Sequence, residues 1–321
     1  PFWILFGVAC FSMAYVLIKG VALGGLNRSD PLILVFYQFS DLFIPVLLYS
    51  VAKKRFSKFN LIFISLFTTY AISVGFRYKL VLLYFPLILL LLGENVGALK
   101  KLKRRTYAVV TGCAVLVLFS LMTLTRKKFS GLDFSALEGV SLNLILYGLF
   151  AESNIIFGLL GILSEFLNKS NFIYLQPIID SVLELVPRFF LPDRITGAYL
   201  VTGAAGLVTD QAMKSGTAYP YFGEFLSMGG HAAGVIGVIV YASLYRRYAK
   251  LNKLAGLAKQ EYMIIGAGIL AVFFGYYNFS RGYLPQSVKG FIFVVMPYYY
   301  LIARHYKRMR VSGSTDPRIR F

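Results

Sequence analysis

LVLLYFPLILLLL (residues 80–92) is an unbroken apolar run, and KKLKRR (residues 100–105) follows it after a short connection. Similar runs recur along the chain, at roughly the 20 residues that an α-helix needs to cross the hydrocarbon core of a bilayer. Continuous runs disfavour an outer-membrane β-barrel, whose strands alternate apolar and polar residues. The pattern therefore predicts membrane-spanning helices separated by basic connections.

The composition agrees with a membrane protein and excludes other classes. Of 321 residues, 58% are hydrophobic and 15% are charged, and the mean hydropathy is +0.68, too apolar for a soluble enzyme or a disordered chain. Cys10 and Cys113 both lie in apolar runs, which excludes a disulfide scaffold. The formal net charge of +19 indicates orientation in a membrane and not a nucleic-acid partner, because basic residues cluster at the ends of apolar stretches.

The spacing of apolar stretches and basic clusters predicts the architecture. Four basic clusters, at residues 53–58, 100–105, 246–253 and 304–310, give a consistent alternation of crossings if all of them lie in the cytoplasm. The sequence thus predicts an all-α, polytopic integral membrane helical bundle with a long outward-facing loop that carries amphipathic or re-entrant helices. The predicted spans are residues 1–18, 32–51, 60–76, 80–98, 106–124, 222–245, 261–279 and 286–303.

We divide the chain into three parts on this basis. Residues 1–130 hold the N-terminal transmembrane helices, residues 131–221 form the large outer loop, and residues 222–321 hold the C-terminal transmembrane helices and a basic cytoplasmic tail. Because the chain begins with Pro1 inside an apolar run, we expect the protein to start further upstream.

The outer loop contains two apolar stretches, 142–163 and 172–190, that carry acidic residues such as Glu152 and Asp180. A carboxylate at the membrane centre costs about 2.5–3.5 kcal/mol. Either both stretches cross as a hairpin, or both lie as amphipathic helices on the outer surface. We favour the second alternative, because the charges recur within helical turns and Pro187 ends the second stretch.

Several cations lie on the outer side of this topology, against the usual cytoplasmic bias of basic residues. Each one alone is compatible with a side chain that snorkels to the interface. As a set they come from four separate connections, which favours an outward cationic site for a lipid-linked phosphate or pyrophosphate, a group that the arginine fork matches well. The set is Arg77, Lys79, Arg126, Lys127, Lys128, Arg188, Arg194 and Arg281.

Two residues near the start of the predicted helix at 222–245 are candidates for a catalytic base. Glu224 lies at its outer end, where it either caps the helix or acts in catalysis. His231 lies about two turns further on, and either bonds within the interior or serves as a base. Gly230 and Gly234 have the spacing of close helix packing. The sequence contains no phosphate-binding loop, dinucleotide fingerprint or metal motif, so we expect no cofactor and no metal.

Four segments, taken in chain order, resemble a known family. They are Thr125-Arg126, the loop from Pro187-Arg188 to Pro192-Asp193-Arg194, Gly223-Glu224-Phe225 and Ser280-Arg281-Gly282. Together they resemble the bacterial O-antigen or capsular repeat-unit polymerases of the Wzy type, from about residue 125 onward. The chain departs from the family pattern where Arg194 and Ile195 follow Asp193 in place of Lys-Pro.

The resemblance implies a GT-C-like glycosyltransferase of the bacterial cytoplasmic (inner) membrane, independent of metal and nucleotide, with its site facing the periplasm. Such an enzyme moves a growing glycan from undecaprenyl diphosphate to the non-reducing end of another lipid-linked repeat unit, in lipopolysaccharide or capsule biosynthesis. A co-polymerase that regulates chain length is the expected partner, besides membrane lipids.

The resemblance also distributes roles among the candidate residues. Glu224, or alternatively His231, would be the base, and Arg126, Arg188 and Arg281 would hold the donor pyrophosphate. Arg194 and Arg77 would help to place donor or acceptor. Two other functions stay open: an O-antigen ligase uses the same donor, and a flippase of lipid-linked oligosaccharides needs a cationic cavity without bond chemistry.

Overall fold

The computed structural model describes residues 2–22, 25–26, 30–54, 56–75, 77–93, 98–124, 172–186, 190, 221–277 and 284–311. These residues are almost entirely helical, and the exception is a short ladder in which Val21–Ala22 (β1) pairs antiparallel with Gly25–Leu26 (β2). The helices are α1 (Phe2–Tyr15), α2 (Pro31–Phe39), α3 (Phe43–Lys54), α4 (Lys58–Val74), α5 (Arg77–Gly93), α6 (Ala98–Leu124), α7 (Gln176–Leu185), α8 (Tyr221–Ala258), α9 (Gln260–Leu270), α10 (Leu284–Gly290) and α11 (Met296–Val311).

Turns of a different pitch extend or join several of these helices. A π-helical turn, Val16–Gly20, continues α1, and another, Ala271–Tyr277, continues α9. The 3₁₀ turn Ser40–Leu42 joins α2 to α3, and the π-helical turn Phe291–Val295 joins α10 to α11. Because of these turns, α2–α3 and α10–α11 are each one continuous helical stretch.

The predicted helical class is confirmed, since each predicted span is helical over most of its described residues. Within the described ranges, three stretches have both the length and the apolar composition of a membrane span: Phe2–Gly20, Leu32–Lys54 and Gly223–Leu257. Outward apolar side chains accompany them, and Trp3 and Ile18 are 71% and 77% exposed. The helices Lys58–Val74, Tyr78–Gly93 and Gln260–Gly275 are apolar but shorter.

The chain forms two compact units. The first consists of Pro1–Leu149, Tyr248–Val272 and Ile292–Phe321, and the second of Phe150–Arg247 and Phe273–Phe291. This division follows contacts between residues, whereas the predicted boundaries at residues 130 and 221 follow the order of spans along the sequence.

The first unit is built around α3. Every residue of α3 from Phe43 to Ala52 is buried, as expected of a helix that is apolar on all sides. The Phe43 ring stacks on that of Phe67 in α4, with centroids 5.4 Å apart, and Tyr49 stacks on Tyr262 of α9 at 5.6 Å. Helices α4 and α9 therefore both pack on α3 through aromatic rings.

Helices α5 and α9 approach each other closely within this unit. A Cβ atom added to Gly268 would lie 2.6 Å from the backbone Cα of Pro86, which is inside α5. A small residue at such a contact lets two helix backbones come together, as is common in membrane helices.

Helix α8 is sharply broken and not straight. Gly230 has φ 67° and ψ −151°, a backbone conformation that glycine adopts readily and that is strained for every other residue. A Cβ atom on Gly237 would lie 2.4 Å from the Phe225 ring, although a straight helix would separate these residues by about 18 Å. Residues 221–228 therefore fold back on the helix that follows Gly230. The span predicted at 222–245 is therefore interrupted at Gly229 and Gly230, while Gly234, where an added Cβ would lie 2.9 Å from the Leu226 side chain, agrees with the close packing expected of the glycine run.

We predict that Gly230→Ala destabilises the protein by about 1–3 kcal/mol, because the added Cβ is strained in this backbone conformation. Thermal unfolding of the purified protein in detergent measures the effect. Gly7→Ala in α1 is the control, because an added Cβ there meets nothing within 4 Å. Equal melting temperatures for the two variants would contradict the left-handed backbone at Gly230.

Candidate functional site

Three segments of the second unit meet around the start of α8. The N–H of Ile173, just before α7, donates to the carbonyl oxygen of Ser227 (2.9 Å). The N–H of Leu284, the first residue of α10, donates to Oε2 of Glu224. Lys289 of α10 forms an ion pair with Glu184 of α7. Polar contacts thus hold α7, α8 and α10 together.

Glu224 is at the centre of this arrangement. Its side chain is fully buried, and its carboxylate accepts a hydrogen bond from the Leu284 N–H. Phe225 and Met228 form a small buried cluster on the same segment, with Ile173 and Leu284 packed against it. The fold-back at Gly230 creates this position, since it carries residues 221–228 into contact with the neighbouring segments.

Helix α7 has an inverted distribution of polarity. Asp180 and Ser181 are buried, and the amide of Gln176 donates to Oδ1 of Asp180 (2.8 Å). In contrast, Ile179 and Val182 are 49% and 62% exposed. A helix with polar residues inside and apolar residues outside is suited to an apolar environment and not to water.

The length of α7 bears on the predicted stretch at 172–190. Its ten residues make a helix about 15 Å long, half of the roughly 30 Å of hydrocarbon in a bilayer. A helix of this length does not cross a bilayer by itself, and the position of the stretch at the outer surface stays a prediction. The other stretch, 142–163, lies outside the described residues.

The predicted site residues differ in burial, and several of them lie outside the described part of the chain. It buries Glu224 and leaves His231 exposed, directly after the break in α8. Arg77 is the first residue of α5, in the first unit, and its side chain is not among those described. Arg126, Arg188, Arg194 and Arg281 lie outside the described residues. The predicted cation set therefore remains a prediction for these arginines.

Lys79 differs from its prediction as an outward cation. It is completely buried in the first unit, with Nζ 2.7 Å from Oδ1 of Asp41 and 3.8 Å from the centroid of the Tyr37 ring. Lys79, the third residue of α5, therefore faces the interior of the first unit, where a charge requires a partner, and it is not exposed as an outward-facing site would need. Its predicted position on the outer side of the membrane stays a prediction.

A network of hydroxyl groups surrounds this ion pair. Lys79 also donates to Oγ of Ser40 (3.2 Å), which lies 2.6 Å from the hydroxyl of Tyr70. The Tyr78 hydroxyl donates to Oδ2 of Asp41 (3.4 Å). Sequence reasoning missed Asp41, although a carboxylate inside the predicted span 32–51 is itself a signal of a buried partner.

The described residues contain no group of three or more His, Cys, Asp or Glu side chains placed to hold a metal ion. Comparison with known proteins adds no relative: no family model, curated protein or solved structure matches the chain. The functional argument accordingly rests on the residues and their geometry.

We predict that Lys79→Met lowers stability by about 3–5 kcal/mol, because it leaves the Asp41 carboxylate buried without its countercharge. Adding Asp41→Leu to this variant should recover most of the loss, since a buried pair can be replaced by apolar groups at little cost. Thermal unfolding in detergent measures both effects. Lys58→Met is the control, because Lys58 is exposed at the start of α4. A double variant no more stable than Lys79→Met would contradict the pairing.

Proposed function

We propose that this chain is a polytopic membrane glycosyltransferase of the O-antigen polymerase kind. It would transfer a growing glycan from undecaprenyl diphosphate to the non-reducing end of another lipid-linked repeat unit. The reaction would take place at the outer face of the bacterial cytoplasmic membrane and use neither metal nor nucleotide.

The convergence of motif-bearing segments around Glu224 carries this proposal. Residues 172–186 lead directly into Pro187-Arg188, α8 opens with Gly223-Glu224-Phe225, and α10 begins three residues after Arg281. Contacts within the second unit join these three segments. Arg281 and Arg188 are assigned to this site from the sequence alone, because they are close in the chain to Leu284 and to the end of α7.

The chemistry assigned to this site is a displacement at the anomeric carbon of the donor sugar. The acceptor hydroxyl oxygen forms the new glycosidic bond, and the bond from that carbon to the diphosphate oxygen breaks. The Glu224 carboxylate takes the proton of the acceptor hydroxyl as general base. Arginines stabilise the charge that develops on the leaving diphosphate, the role that a metal ion has in other transferases.

The apolar helices and the basic clusters support the location. Three helical stretches are long and apolar enough to span a bilayer, and the basic clusters orient the chain when all lie in the cytoplasm. Placing α7 at the outer surface agrees with its exposed apolar residues. His231 stays the second choice for the base, because it is exposed while Glu224 is held among the motif-bearing segments.

The direct test is a reaction of the purified protein with undecaprenyl-diphosphate repeat units, without nucleotide, metal or other protein, resolved on a gel. We expect a ladder of polymers. Transfer of a finished glycan to a lipid A acceptor without a ladder would identify a ligase. Movement of the lipid across vesicles without any bond formation would identify a flippase, and either outcome would overturn the proposal.

Glu224→Gln should reduce the rate of polymer formation by about 10²–10⁴-fold, the usual contribution of a general base. Glutamine keeps an oxygen that can accept from the Leu284 N–H, so the variant separates proton transfer from folding. Its melting temperature should stay near that of the unaltered chain. Glu261→Gln, in the first unit, is the matched control, because Glu261 pairs with Lys259 outside the proposed site. A normal ladder from Glu224→Gln would remove Glu224 from the mechanism.

Arg281→Lys should slow polymer formation more than Arg246→Lys, an exposed position on α8. Lysine keeps the positive charge but loses the two-pronged contact of the guanidinium group with diphosphate oxygens. Initial rates at several donor concentrations measure this effect. Similar rates for both variants would argue against a pyrophosphate contact at Arg281.

A further inference from the structure

A cavity of about 490 Å³ opens in the first unit beside α1, the C-terminal end of α3 and α11. This volume lies within the range of about 300–1,000 Å³ that is usual for sites of small ligands. Its lining has two distinct parts. Lys53, Lys54 and Arg304 supply positive charge, while Trp3 and Phe59 supply apolar surface.

The positive charge of Lys53, Lys54 and Arg304 is not balanced by acidic side chains among the described lining residues. Among the described residues, no aspartate or glutamate lines the cavity. Within the part of the chain that the structure describes, Lys53, Lys54 and Arg304 form no ion pair with a carboxylate. All three are exposed to the surroundings. A cavity with three such cations favours an anionic ligand.

Two carbonyl oxygens at the C-terminal end of α3, next to the cavity, accept hydrogen bonds from Lys259. Helix C-termini carry partial negative charge on their last carbonyl oxygens, which would repel an anion. Here Nζ of Lys259 donates to two of them, the carbonyl oxygens of Ala52 (2.6 Å) and Lys53 (3.2 Å). This contact satisfies two of the last carbonyl oxygens of α3, and the same ammonium group pairs with Glu261 (3.6 Å), so the positive charge of the cavity comes from its own lining residues.

The remaining lining indicates that the anion has an apolar part. Trp3 is 71% exposed and Phe59 is 41% exposed, while Leu301 and Tyr49 are buried in the cavity wall. An inorganic anion would leave the aromatic surface without a partner. A phospholipid matches both parts, and basic pockets between membrane helices are known to suit anionic lipid headgroups.

We propose that this cavity binds one anionic phospholipid of the surrounding membrane. The phosphate would lie on Lys53, Lys54 and Arg304, and an acyl chain would lie along Trp3 and Phe59. The site shares no residue with the segments around Glu224, and it does not depend on the transferase chemistry.

Trp3 is the only tryptophan in the chain, so its fluorescence reports on this cavity. The experiment titrates the purified full chain in detergent with phosphatidylglycerol whose acyl chains carry bromine, a quencher that acts at short range. Phosphatidylcholine with the same brominated chains gives the background contact of Trp3 with any lipid. We expect half-maximal quenching at a phosphatidylglycerol concentration at least about tenfold lower than that of phosphatidylcholine.

Two triple variants locate the effect. Lys53→Gln, Lys54→Gln and Arg304→Gln together should abolish the preference for phosphatidylglycerol, and because these residues are exposed the variant should keep its melting temperature. The matched control removes three exposed cations of another cluster, by Arg246→Gln, Lys250→Gln and Lys253→Gln, and should keep the preference. Equal quenching by the two lipids in the unaltered chain, or loss of the preference in both triple variants, would overturn the proposal.

Glycerol 1-phosphate distinguishes a lipid from a free phosphate compound. We expect it not to relieve quenching by brominated phosphatidylglycerol at equal concentration, because it lacks the apolar part that contacts Trp3 and Phe59. Complete relief under these conditions would show that the cavity recognises a soluble phosphate, which would overturn the assignment to lipid.

Discussion

A polar group that is buried among apolar helices has no water to bond to, so its partner must come from the chain itself. In the first unit this constraint joins Asp41 to Lys79 of α5. In the second unit it joins Glu224 of α8 to the backbone of Leu284. At the end of α3, Lys259 supplies the donor that the last carbonyl groups lack. Each of these contacts fixes two distant segments relative to each other within one unit.

The helices were predictable because their signal is local. An apolar run followed by a basic cluster, as at residues 80–105, needs no knowledge of the rest of the chain to be recognised as helical. Glu224 could also be identified as a candidate residue from the sequence, because few carboxylates occur in this apolar chain. What it contacts was not predictable, because the Leu284 N–H lies on a separate helix and any backbone group offers the same donor.

The break at Gly230 and the burial of Lys79 were missed for a related reason. A glycine pair in a helical pattern is compatible with close packing and with a reversal of the chain, and only tertiary contacts such as that of Phe225 with Gly237 separate the two. Lys79 lies near the end of an apolar run, where basic residues usually face water or headgroups. Its burial depends on Asp41, and single-sequence reasoning has no means of pairing two positions on different helices.

These long-range contacts determine when the segment around Glu224 can assemble during synthesis. A segment as short as residues 221–228 is not a stable helix by itself, and it depends on residues on both sides of it in the chain. Its hydrogen-bond partner on α10, Leu284, is made about sixty residues after Glu224. A ribosome that has just completed α8 has therefore produced the proposed base but not its surroundings. In a nascent chain, the Glu224 neighbourhood is complete only once α10 has emerged, because Leu284 supplies the donor to the Glu224 carboxylate.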